Sequence, residues 1–144
     1  MSMYANAMNR VAKKASTSEL CMHHGAMIHF SGKRQTNFIG NNHYIKANDG
    51  SNDDPSIHAE CDTISKFIIH NQTHDVNNAK IRRKLKKARL LIAKVNKNTN
   101  DNRLFGNSYP CRNCLDTIKN YGIKKIVVTN ELGEYQCKKG KYII

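Results

Sequence analysis

The chain has 144 residues, the size of one ordinary domain with room for a real core, and a formal net charge of +13 from 24 Lys+Arg against 11 Asp+Glu. No stretch approaches the ~20 apolar residues that a membrane-spanning helix needs, and the polar start Met1–Arg10 lacks the apolar core of a signal peptide. Five cysteines, an odd number without the spacing of a disulfide framework, exclude a disulfide-stapled scaffold and point to a reducing, cytoplasmic compartment where clustered Cys bind metal.

The charge has two readings. A surface for a polyanion would carry this sign. Codon bias would too, since 18 Asn, 17 Lys and 14 Ile fill 49 of 144 positions with residues of A/T-rich codons. The second reading carries more weight.

From Met3 to about Ala15 the chain has good helix formers and no breaker, and Ala5, Met8, Val11, Ala12 and Ala15 make one apolar stripe. That spacing predicts a first helix. His24 to Phe30 is a short apolar run, Gly32 a turn signal, and Arg34 to Ile39 a second strand, so a hairpin is the natural join. Asn41 to Ser56 is polar, with Gly50 and Pro55, and predicts a loop long enough to be functional. From Ile57 or His58 to about His70, the spacing of Cys61, Ile64, Phe67 and Ile68 is helical, and Asn71 to Asn78 breaks it. Lys80 to Arg89 carries seven basic residues in ten positions, with Ile81, Leu85 and Ala88 on one side.

Leu90 to Val95 is nearly continuous apolar sequence, as in a buried parallel strand. Asn96 to Tyr109 predicts a loop and Cys111 to Tyr121 a helix with Leu115 and Ile118 inward. Gly122 stands where a left-handed cap belongs. Ile123 to Thr129 predicts another buried strand, followed by a turn near Gly133 and a last strand around Tyr135 to Cys137. The order is helix, two hairpin strands, helix, strand, helix, strand, strand. Strand–helix–strand units favour a parallel pair with right-handed crossovers, so the expected domain is α/β: a three-layer α/β/α sandwich around a five-stranded mixed sheet.

Two motifs stand out, His58-Ala59-Glu60 and Pro110-Cys111-Arg112-Asn113-Cys114, and each opens a predicted helix. One imidazole and two thiolates are three good ligands for Zn²⁺, leaving a fourth place for water. Helix N-termini favour anionic sulfur through their free N–H groups and dipole. Cys111 and Cys114, three apart, put both sulfurs on one side of the first turn, and Pro110 suits that start because it lacks a donor. Glu60 need not bind the metal. A carboxylate there can take the proton of an attacking water and return it to a ring nitrogen and the departing amine. The H-x-E…P-C-x-x-C pair is the signature of zinc nucleobase deaminases.

On these residues the chain resembles the cytidine/deoxycytidylate deaminase superfamily. The likeness runs from His24-Gly-Ala-Met-Ile through Ala88-Arg-Leu-Leu-Ile-Ala-Lys-Val and Asn107-Ser-Tyr-Pro-Cys-Arg-Asn-Cys to the strand before Glu131. It implies a single zinc-dependent deaminase domain over residues 1–144, with His58, Cys111 and Cys114 holding Zn²⁺ and Glu60 shuttling the proton. It also implies that Asn42, or its neighbour Asn41, contacts the substrate sugar and that the backbone at Ala59 holds the pyrimidine ring. The spacing of 53 between His58 and Cys111 is longer than in compact nucleoside deaminases, and the surplus sits mostly in Asn71–Lys87.

The expected reaction is hydrolytic C-to-U deamination of a free cytosine nucleoside or nucleotide by a homo-oligomer. Its rivals are a polynucleotide or purine-base deaminase and a silent zinc module binding nucleic acid, for which Glu60 would have no use. The short connection near Gly133 predicts an antiparallel last hairpin, which within the superfamily resembles the free-nucleoside branch. Lys80–Arg89 reads as a solvated helix face. Nucleic acid is the less favoured partner there, because no aromatic residue interleaves the run to stack on bases. Cys21, Cys61 and Cys137 fall on apolar faces and read as core thiols, although Cys61 could compete with His58 as a ligand. His23, His24, His29 and His43 have no paired spacing with another ligand and read as surface or core histidines.

Overall fold

The computed structural model describes residues 5–20, 22–30, 38–44, 56–95, 105–130 and 135–139. The first helix, α1 (Ala5–Ser16), follows its spacing: Met8, Val11, Ala12 and Ala15 form one buried stripe. β1 (His23–His29) pairs antiparallel with β2 (Phe38–Asn41), with Ile28 opposite Phe38 and Gly25 opposite Asn41. The expected second strand, Arg34–Ile39, runs on past Ile39, because Gly40 and Asn41 continue the ladder. Its first residues, like the turn at Gly32, lie outside the described residues. The predicted 41–56 loop is pinned at both ends by β3 (His43–Tyr44) and β4 (Ser56–Ile57), which pair antiparallel.

α2 (Ala59–Thr73) runs a turn beyond the expected end at His70. Asn71 does not break it. Its buried side chain donates to the Phe67 carbonyl at 2.8 Å and accepts from Lys84 Nζ at 2.9 Å. The stop comes at Asp75, which takes a left-handed φ of 60°. The basic run then forms a helix of its own, α3 (Asn78–Lys86), which the expected order lacks; Ile81 and Leu85 fasten it to the core. β5 (Arg89–Val95), β6 (Phe105–Gly106), α4 (Arg112–Asn120), β7 (Lys125–Thr129) and β8 (Tyr135–Lys139) follow. Gly122 ends α4 with φ 84°, as a left-handed cap requires.

The main sheet has the order β2-β1-β5-β7-β8, and the two-residue β6 lies beside the end of β5. β5 and β7 are parallel, joined by α4 as the crossover, whereas β1–β5 and β7–β8 are antiparallel. The sheet is mixed, as expected. Alternate side chains separate two faces. Met27, Leu91, Ala93 and Val127 meet Met8 and Val11 of α1. Ala26, Ile28, Leu90, Ile92 and Val128 meet α2, α3 and α4. Each Val, Leu, Ile or Met side chain buried this way contributes ~1.5–3 kcal/mol, and the result is the three-layer α/β/α sandwich.

β5 and β7 stop pairing after Ile92 and Val128. There Ser108 bridges them, its hydroxyl donating to the Ile92 carbonyl at 2.7 Å and accepting from Thr129 N at 2.8 Å. The carboxyl ends of parallel strands are where α/β sheets open a crevice for ligands.

Candidate active site

Two helix N-termini converge on that crevice. His58 is the N-cap of α2 and Cys111 the N-cap of α4, both with extended backbone, and neither side chain caps its own helix. They turn toward each other instead. Cys114 Sγ lies 3.2 Å and Cys111 Sγ 3.6 Å from His58 Nδ1. The three ligand atoms are within 4.8 Å of one another, so the expected His/Cys/Cys group is brought together. One nitrogen and two sulfurs on the positive ends of two helices suit zinc, and fit it better than a hard cation that takes oxygen.

Glu60 follows in the first turn of α2 and is 5% exposed. Burial raises its pKa, opposed by hydrogen bonds from the Cys114 thiol and its own backbone N–H and by His58. Cys61 corrects the sequence reading. It is half-buried rather than in the core, and its thiol meets Cys114 and Thr117, while the metal-holding group among the described residues does not include it. The bond it shares with Cys114 lowers the Cys61 thiol to about 6 and, joined by burial, raises Cys114. A cation bound through Cys114 reverses that order, since a coordinating thiol is deprotonated outright. Cys21 lies outside the described residues, as does the Cys137 side chain.

The group opens into a cavity of about 260 Å³. His58, Ala59, Glu60 and Cys111 line it, and so does Asn42. The choice between Asn41 and Asn42 is geometric. Asn41 Nδ2 turns to Thr17 Oγ1 at 2.9 Å, at the end of α1 and away from the cavity. Asn42 is buried, its Oδ1 accepting from His24 N at 2.9 Å and its Nδ2 donating to the Met22 carbonyl at 2.6 Å.

Residues that sequence reasoning passed over also line the cavity: His24, Ser56, Ser108 and Tyr109, with Leu20 and Met22 as an apolar lip. Ser108 and Tyr109 directly precede Pro110-Cys111, and that adjacency was the available signal. His24 carried none, because its place depends on β1 pairing with β5, where it faces Lys94. Burial, then Lys94, His58 and His23, lowers its pKa from 6.5 to about 4, so the ring is neutral at pH 7. His23 is a core histidine, its Nδ1 3.2 Å from the Ala15 carbonyl. The cations of α3 face water except the half-buried Lys84, on Asn71, and the exposed Arg82 also donates to the Asn120 carbonyl at 2.7 Å.

The α/β/α sandwich and the paired helix-terminal motifs define a zinc-dependent deaminase. The family model described as the cytidine and deoxycytidylate deaminase zinc-binding region matches residues 1–130, and the chain belongs to that family. Zinc is its cofactor. Among solved structures, the 1.6 Å crystal structure of cytidine deaminase from Burkholderia pseudomallei has a similar fold. It is 16% identical, with a TM-score of 0.58 over 95% of this chain and 93% of that one. Comparison with curated proteins finds no match. No helix among the described residues is long and apolar enough to cross a membrane.

Proposed function

We propose that the protein deaminates a free cytosine nucleoside or nucleotide hydrolytically, giving the uracil form and ammonia, with His58, Cys111 and Cys114 holding the zinc. The observation that carries this reading is the buried Glu60 lining the same cavity as His58 and Cys111 of the His/Cys/Cys group. Zinc, when bound, would supply Lewis acidity that lowers the pKa of a water toward ~7. The chain does the rest. Glu60 accepts one proton of the water that adds to C4 and passes it to the ring nitrogen N3; it then takes the remaining hydroxyl proton and delivers it to the amine, which leaves as ammonia as the C4 carbonyl forms. The backbone at Ala59, at the start of α2, holds the ring.

Asn42 contacts the sugar. Its Oδ1 and one Nδ2 proton are engaged by the chain, which leaves the second Nδ2–H for a sugar hydroxyl. The antiparallel β7–β8 hairpin supports a free substrate over a polynucleotide. Thiol ligands and free cysteines favour a cytoplasmic setting.

A panel of cytosine, cytidine, deoxycytidine, their monophosphates, adenine and guanine compounds and short oligonucleotides tests the reading, with ammonia release as the readout. Turnover should be confined to cytosine nucleosides or nucleotides. Turnover of only an oligonucleotide or a purine would overturn it.

A further inference from the structure

β2 ends the main sheet among the described residues, and β1 occupies its other edge. Ile39 and Asn41 are two apart, so their outward backbone groups lie along the same free edge. Side chains of α2 satisfy both. The Ile39 carbonyl accepts from Lys66 Nζ at 3.3 Å, and Asn41 N donates to Asp62 Oδ2 at 3.2 Å. Asp62 and Lys66, one helical turn apart, are paired at 3.1 Å. Together they give β2 the acceptor and donor that a neighbouring strand would.

Two further observations tighten this junction. His43 Nδ1 binds the Asn41 carbonyl at 3.0 Å and stands 4.0 Å from Asp62 Oδ2. Gly40 lies beneath the same carboxylate, where a Cβ would run into Asp62 Oδ2 and stand 2.7 Å from Thr63 Oγ1. Asp62 is 6% exposed, so these partners, rather than water, balance its charge.

Asn42 is the next residue after the clamped Asn41, and Asp62 sits in the turn of α2 that carries Glu60. The geometry points to Asp62, assisted by Lys66, as a positioning residue that holds the Asn42 carboxamide in register with Glu60. The inference deepens the proposed function, resting on its reading of Asn42 as the sugar contact. Asp62 touches no substrate. It acts by fixing the end of β2 against the catalytic helix.

Zinc-loaded full-length enzyme carrying Asp62→Asn, Asn42→Ala or both tests the clamp, with KM and kcat for the best nucleoside or nucleotide. Asp62→Asn keeps the side chain's shape and weakens the bond to Asn41 N. KM should rise about tenfold, the scale of one hydrogen bond to a charged group, with kcat changed less than about threefold and zinc content unchanged. In the Asn42→Ala background the same substitution should add less than about twofold, because the group it positions is gone.

A wild-type KM for Asp62→Asn, or equal losses in both backgrounds, would overturn the clamp while leaving Asn42 as the sugar contact. An Asn42→Ala enzyme with wild-type KM would overturn the sugar reading, and the clamp with it. Lys66→Met, at the exposed end of the pair, covers the case in which Asp62→Asn does not fold. It should raise KM about threefold through Asn42, and an unchanged KM there also overturns the clamp.

Discussion

Three helices of this protein begin in different ways. α3 opens on Asn77, whose side chain accepts from Lys80 N at 2.9 Å, the kind of cap that stabilises a helix end by ~1 kcal/mol. α2 and α4 open on His58 and Cys111, which leave their own helices uncapped and point into the cavity. The difference separates a terminus built for stability from two built for chemistry. At the latter, exposed N–H groups and uncancelled dipoles remain available to thiolate, metal and substrate.

The comparison breaks most visibly at Glu60. Glu60→Ala should keep the fold and one zinc per chain while kcat falls ~10²–10⁴-fold, because no other group relays the water's proton. Steady-state kinetics beside elemental analysis check this, and near wild-type turnover would remove Glu60 from the mechanism.

A smaller effect has opposite signs at the two kinds of terminus. Cys111→Ser places a good cap on α4. In zinc-free protein it should raise stability by ~1 kcal/mol, or about 4 °C in Tm, while zinc binding is lost. Asn77→Ala should lower stability by a similar ~1 kcal/mol, with kcat/KM and zinc content unchanged. Thermal unfolding of both zinc-free variants decides the matter, and equal signs would undo the distinction.

The smallest effect is in pH. His24 binds a proton near 6.5 when unfolded and only near about 4 when folded, so between those values the unfolded chain holds more protons. Stability through His24 is therefore full above pH 6.5 and is lost as pH falls toward 4. His24→Gln in zinc-free protein should flatten that arm of the stability–pH curve, read from urea midpoints. An unchanged slope would show that His24 is not held neutral by its surroundings.

Much of this architecture was legible because its signals are local. The stripe Met8–Ala15, the apolar runs in β5 and β7, Gly122 and the His58…Cys111 pair each declare themselves within a few residues. The separate α3 was less visible, since Asn71 reads as a breaker until Lys84 is seen to satisfy it. Cys61 looked like core by periodicity, yet at the N-terminus of a helix three positions from His58 it faces Cys114. His24, Asn42 and Asp62 owe their places to pairings across the sheet and between β2 and α2, which no local pattern encodes.

His58 and Cys111 stand 53 residues apart, and their helices are held together where β5 and β7 pair on either side of the α4 crossover. Closing so long a loop has an entropy cost beyond that of any one helix, and the pairing of β5 with β7 offsets it. A nascent chain that ends before Cys111 has the imidazole and neither thiol of the group. A metal ion that binds only the assembled group stabilises the folded chain by mass action, so its stability should rise with free zinc.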